Sequence, residues 1–183
     1  MKGIIFAELV RFMEEARSPA FADAVIRQAA VPSDGAYGVA GDYPSAGALP
    51  LGGIAAGRAG RLADGQCVLF GRHLFRRFTI LYPFIIDSYR TAEELLTHVG
   101  SHIHADVCVL YPDARPPQVS LMRSGGKSIV TYSSYRPMAM IALGLVQQCM
   151  DHFGDSRMVM CEIANKGRQA TFVLEDRPTE IAA

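Results

Sequence analysis

The chain has 183 residues, half of them hydrophobic, with 18 Lys and Arg balancing 18 Asp and Glu. That length suits one domain with a substantial core and argues against two independent ones, and zero net charge without a basic block lacks the electrostatic footprint of a nucleic-acid binder. No apolar run approaches the roughly 18 residues that would suggest a membrane span, and the opening MKGIIFAELVRFMEE carries acidic residues without a small-residue cleavage pattern, so it reads as an amphipathic helix in a cytoplasmic protein.

The first predicted helix runs from about Lys2 to Glu15, with Ile4, Ile5, Leu9, Phe12 and Met13 near one apolar face. Ser18-Pro19 restarts the chain, Ser as an N-cap and Pro at the first helical position, and a second helix reaches about Ala30. From Val31 to Gly60 the composition turns to Gly, Pro and Ala, as in Asp34-Gly35 and Pro50-Leu51-Gly52-Gly53, which predicts a loop-rich stretch where any helix is weak. A third helix is predicted over Gln66 to about Ile80, stopped by Tyr82-Pro83. Thr91-Ala92-Glu93-Glu94 is a capping box opening a helix that reaches Tyr111 before Pro112.

After Pro116-Pro117 the pattern becomes β-like. Val119 to Arg123 and Ser128 to Ser133 flank Ser124-Gly125-Gly126 as a hairpin. Pro137 opens a helix with Ile141, Leu143, Leu145 and Val146 that runs to Phe153 and stops at Gly154, and two strands, Arg157 to Ala164 and Gln169 to Glu175, surround Lys166-Gly167. The expected class is α+β: a helical N-terminal part, then helices packed on a small antiparallel sheet of about four strands. Cys67, Cys108, Cys149 and Cys161 form no C-x-x-C pair and are expected as free thiols; Cys149, His152 and Cys161 fit no standard zinc spacing.

Two features carry chemistry. Tyr132, Ser134 and Arg136 are spaced two residues apart, and alternate residues of an extended segment project to one side, so a phenol, an alcohol and a forked cation converge as a carboxylate receptor. The capped helix contains His98, His102 and His104. At about 100° per residue His98 and His102 share a face, while His104 is turned about 160° from His102, which argues against a three-histidine cluster. His104 instead shares a stripe with Leu96, Gly100, Val107 and Tyr111 and faces an apolar interior. A lone inward histidine is more often a satisfied core residue than a ligand, but an inward imidazole, an apolar slot and a separate carboxylate receptor are together what haem requires of a protein.

The sequence resembles the H-NOX family, the haem nitric oxide/oxygen binding domains related to the sensor domain of soluble guanylate cyclase. The resemblance covers nearly the whole chain, through MKGII, DGAYGVAGDYP, FGRHLFRRF, IHADVCVLYPDARPP, YSSYR and ALGLVQQCMDHFG. It implies one domain over residues 1–183, with a helical subdomain at 1–63, a haem-ligating α/β subdomain at 64–183, and haem b (iron protoporphyrin IX) between them. It places the proximal ligand to iron on His104 and the propionate motif on Tyr132, Ser134 and Arg136. It puts Pro117 against the haem and Ile5, Phe78 and Leu145 on the pocket wall. The family's distal tyrosine position falls on Ile141, and two supporting polar positions fall on Leu9 and Leu74. Oxygen on ferrous haem is stabilised by a hydrogen-bond donor and nitric oxide needs none, so the expected pocket favours nitric oxide, with carbon monoxide as a further ligand, unless Tyr37 or Tyr135 reaches the iron.

The expected function is therefore a haem-based nitric oxide sensor with no catalytic constellation of its own. By the same resemblance it would signal to a separate histidine kinase or cyclic-di-GMP enzyme. The alternative is a haem-free module binding another carboxylate-bearing apolar ligand. A haem peroxidase or oxygenase is disfavoured by a distal side without an evident acid-base residue.

Overall fold

A computed structural model of the chain describes residues 1–30, 36–38, 41–44, 47–58, 60 and 63–177. Helices α1 (Gly3–Ala16), α2 (Pro19–Ala29), α3 (Ala48–Arg58) and α4 (Ala63–Leu81) come first, followed by the short α5 (Pro83–Ile86). Next is one long helical run: α6 (Ala92–His98), a π-helical turn (Val99–Ile103) and α7 (His104–Leu110). Strands β1 (Gln118–Ser124) and β2 (Lys127–Ser133), helix α8 (Ala139–His152), and strands β3 (Met158–Ala164) and β4 (Gln169–Glu175) complete the chain. The strands form one antiparallel sheet of order β1-β2-β4-β3. The architecture is the expected α+β arrangement of helices with a four-stranded antiparallel sheet.

Local signals explain most boundaries. The Ser18 hydroxyl accepts from the Phe21 N–H at 3.1 Å, and Thr91 caps α6 through Glu94 N–H at 3.1 Å. The return bond of the capping box differs from expectation, because Glu94 Oε2 accepts from the N–H of Arg90. In the first hairpin Ser124 pairs with Lys127 across Gly125 and Gly126, whose positive φ of 58° and 75° is the left-handed pair a two-residue turn needs.

The loop-rich expectation for residues 31–60 is corrected by α3. Leu51, Ala55 and Ala56 of that helix are buried, and Leu51 and Ala55 join a core with Phe6, Leu9 and Met13 of α1, Val25 and Ile26 of α2, and Phe70 and Leu74 of α4. Burial of one apolar face outweighs the roughly 1 kcal/mol that each helical glycine costs. The Asp34-Gly35 part of the expected loop lies outside the described residues.

A second core lies between the sheet and the later helices, built from Phe75, Leu95, Leu96, Val130, Tyr132, Leu143, Val146, Phe172 and Leu174 among others. Helix α4 lends residues to both cores, and Leu145 of α8 packs against both. Where α4 crosses α8 there is no room for side chains: a Cβ on Gly71 would stand 2.1 Å from the Ile141 carbonyl oxygen, and one on Gly144 2.1 Å from that of Val68.

The helix expected from Thr91 to Tyr111 exists, but its middle is π-helical. A π turn holds one extra residue, so the rotation from His102 to His104 is not that of a uniform α-helix. Gly100 sits inside this turn against β1, and a Cβ there would meet the Val119 carbonyl oxygen at 2.2 Å.

Candidate functional site

His104 is the first residue of α7, half-buried, directly after the π turn. Its Nδ1 lies 2.9 Å from the carbonyl oxygen of Pro117. A carbonyl only accepts, so Nδ1 carries the proton and Nε2 keeps its lone pair. Burial lowers the imidazole pKa against the opposing pull of that bond, which holds the ring neutral. A neutral histidine whose far nitrogen is anchored to a backbone carbonyl is prepared to bind a metal through the near one.

The Tyr132, Ser134 and Arg136 group converges by a route the spacing does not suggest. Tyr132 ends the extended stretch as a buried residue, but β2 stops at Ser133 and the chain bends: the Ser134 hydroxyl accepts from Arg136 N–H at 3.1 Å. The three groups still meet. Burial raises the Tyr132 phenol pKa, while a hydrogen bond with Ser134 and the Arg136 charge pull it down.

Arg136 is half engaged. Its Nη2 donates to the Tyr135 hydroxyl and its guanidinium lies 4.3 Å over the Tyr135 ring, yet its Nε is buried without a hydrogen-bond partner. The Met1 ammonium lies close by, its pKa lowered by burial and then by the Arg136 charge. Met1 itself is tied to Tyr43, donating to its carbonyl at 2.8 Å and accepting from its N–H at 3.0 Å. A buried guanidinium donor beside a second cation is an unmet demand for an anionic acceptor. The Met1 contribution has no local signal, because Tyr43, 42 residues along the chain, holds Met1 in place.

The expected wall residues collect in the N-terminal core. Leu74 and Leu9 are buried there, at 2 % and 7 % exposure, and Ile5, Phe78, Ile141 and Leu145 are half-buried against it. Pro117 is half-buried just before β1, and its carbonyl holds His104. Tyr135 is half-exposed and occupied by Arg136. Tyr37 stacks on Phe6 with centroids 4.7 Å apart, and its hydroxyl is buried without a partner.

A buried polar pair was missed from the sequence. Glu8 of α1 and His73 of α4, both 5 % exposed, meet at 3.2 Å, and Arg77 Nε donates to the same Glu8 oxygen at 2.9 Å. Spaced 65 residues apart, they offer no local signal. Burial lowers the His73 pKa more than Glu8 and Glu15 raise it. All four cysteines are free, and burial pushes the Cys149 thiol up to about 12, so it is inert at neutral pH.

The fold is that of an H-NOX-type domain. The sequence profile of the haem-NO-binding family, HNOB, matches residues 2–160, and the chain belongs to that family of haem-binding gas-sensor domains. Among solved structures it is similar to the unliganded Fe(II) H-NOX protein of K. algicida, at 26 % identity, complete coverage of both chains and a TM-score of 0.88. It shares the fold of the S. oneidensis H-NOX protein in the Fe(II)NO state, at 20 % identity, 97 % of this chain and 100 % of that one, with a TM-score of 0.85. It also shares the fold of the Shewanella woodyi H-NOX in the Fe(II)CO state, at 24 % identity, 100 % of this chain and 97 % of that one, with a TM-score of 0.80. No curated protein sequence matches. Among the described residues no helix is long and apolar enough to cross a membrane.

Proposed function

We propose that the chain is a sensor that prefers nitric oxide at ferrous haem b and reports to a separate signalling protein, without catalysis of its own. The observation that carries this reading is the pairing of a ligand-ready His104, its Nδ1–H fixed on Pro117, with the buried, unpartnered Nε of Arg136. The residues present fit haem: a neutral imidazole for iron, apolar walls for a macrocycle, and buried donors for its carboxylates.

In this reading the helices of residues 1–63 form one subdomain and residues 64–183 the haem-ligating one. His104 supplies the proximal nitrogen, and Tyr132, Ser134 and Arg136 hold the propionates. Pro117 anchors the His104 ring, and Ile5, Phe78, Leu74, Ile141 and Leu145 close the pocket. When bound, ferrous haem supplies the iron that takes up a diatomic gas. Ile141, Leu74 and Leu9 offer no hydrogen-bond donor, which withholds the stabilisation oxygen needs and leaves nitric oxide favoured and carbon monoxide admissible. His104 would hold the iron at the start of α7, so its release would free that helix end, and a histidine kinase or cyclic-di-GMP enzyme is the class of partner that would read the displacement.

An absorption spectrum of the reduced protein, in air and then with nitric oxide, tests the reading. A Soret band, no stable oxygen complex in air and a shift with nitric oxide are expected, and His104→Ala removes the protein's iron ligand and changes the ferrous spectrum. A stable oxygenated spectrum sinks the gas preference, and an unchanged His104→Ala spectrum sinks the ligand assignment. Protein without a Soret band even after haem addition would favour a module for another carboxylate-bearing apolar ligand, served by the same Arg136 donors.

A further inference from the structure

Besides His104, the same helical run carries a second imidazole arrangement. His98 ends α6 and His102 lies one turn on, within the π turn, and their rings stack with centroids 4.5 Å apart and planes 8° from parallel. Tyr89 stacks on His98 at 5.5 Å, which holds that ring in place. His98 Nδ1 lies 2.8 Å from the Glu94 carbonyl oxygen, so Nδ1 carries the proton and Nε2 presents a lone pair. This is the same preparation for a metal that Pro117 gives His104. Asp106, one turn beyond His102 on the same stripe, is exposed, and its carboxylate is close enough to add to the effect of burial in raising the Tyr89 pKa.

We propose that His98 and His102 form a bidentate chelate for a divalent transition-metal ion of the zinc, nickel and copper class. Two histidines at i and i+4 on a helix offer two nitrogens to one ion, as in helical zinc motifs, and imidazole selects these borderline metals over magnesium or calcium, which take oxygen ligands. Each nitrogen must come to about 2.0–2.1 Å from the shared ion. The parallel rings therefore tilt toward each other on binding, a small movement for the exposed His102 side chain. Among the described residues no group of three or more His, Cys, Asp or Glu converges on a metal position. Water completes the coordination shell, and the ion is exchangeable. Because the chelate spans the first part of the π turn, the ion braces the segment that ends at His104.

Calorimetric titration of the untagged full chain with Ni²⁺ tests the site. One saturable site per chain is expected, and His98→Ala or His102→Ala should each weaken it by about tenfold or more. His102→Gln, which keeps size and polarity, should weaken it equally, and His152→Ala should leave it unchanged. The proposal is overturned if the wild-type chain shows no saturable binding, or if the doubly substituted H98A/H102A chain binds as the wild type does.

Discussion

The two halves of the helical run that carries His104 have opposite surroundings. In α6, Ala92, Leu95 and Leu96 are at most 4 % exposed, and Glu93 receives the Ser128 hydroxyl, Arg157 and Arg123, which ties the helix to β1, β2 and the start of β3. In α7 no residue is buried, and Val109 and Leu110 are 79 % and 72 % exposed. His104 stands where the held half gives way to the free one. A perturbation at His104 therefore meets least resistance downstream, because few buried contacts oppose the movement of α7.

The largest expected effect is in the held half. Leu95→Ala should lower stability by about 2–5 kcal/mol in urea denaturation, the range for a buried leucine that leaves a cavity. Glu93→Gln comes next. The Ser128 hydrogen bond, with those of Arg157 and Arg123, holds the Glu93 carboxyl down to about 2 from 4.5, although burial opposes them. The unfolded chain takes up this proton as pH falls below about 4.5, and the folded chain resists until about 2. The stabilisation, about 3 kcal/mol at most, is thus complete above pH 4.5 and lost as pH falls toward 2. Glu93→Gln should remove it at neutral pH and flatten the stability curve across that acid range.

At the junction, Gly100→Ala places a methyl group 2.2 Å from the Val119 carbonyl oxygen. The π turn must shift away from β1, at about 1–3 kcal/mol, and haem spectra should report the altered His104. In the free half, Val109→Ala should change stability by no more than about 0.5 kcal/mol. Equal losses for Leu95→Ala and Val109→Ala would erase the contrast between the halves.

What the sequence revealed follows from how local each cause is. The Ser18 and Thr91 caps, the Gly125-Gly126 turn and the stop at Tyr82-Pro83 are decided within four residues, and they were legible. His104 is half-buried, but the uniform stripe with Leu96 and Gly100 from which an inward face is read is interrupted by the π turn. Helix α3 was not, since its glycines speak against it and only burial of Leu51 and Ala55 under neighbouring helices supports it. The π turn leaves no compositional trace. The bend at Ser134 hides inside a spacing that looks like continuous strand, and the Glu8 to His73 pair and the Met1 to Arg136 proximity depend on contacts far apart in the chain.

Leu145 packs against both apolar cores, the helical one and the one beneath the sheet. Residues that share such a partner cannot vary independently. Position 145 is thus a point of epistasis: a substitution accommodated by repacking on the helical-core side must at the same time satisfy the neighbours on the sheet side. Compensating changes for a new residue there would be sought in pairs, one from each core.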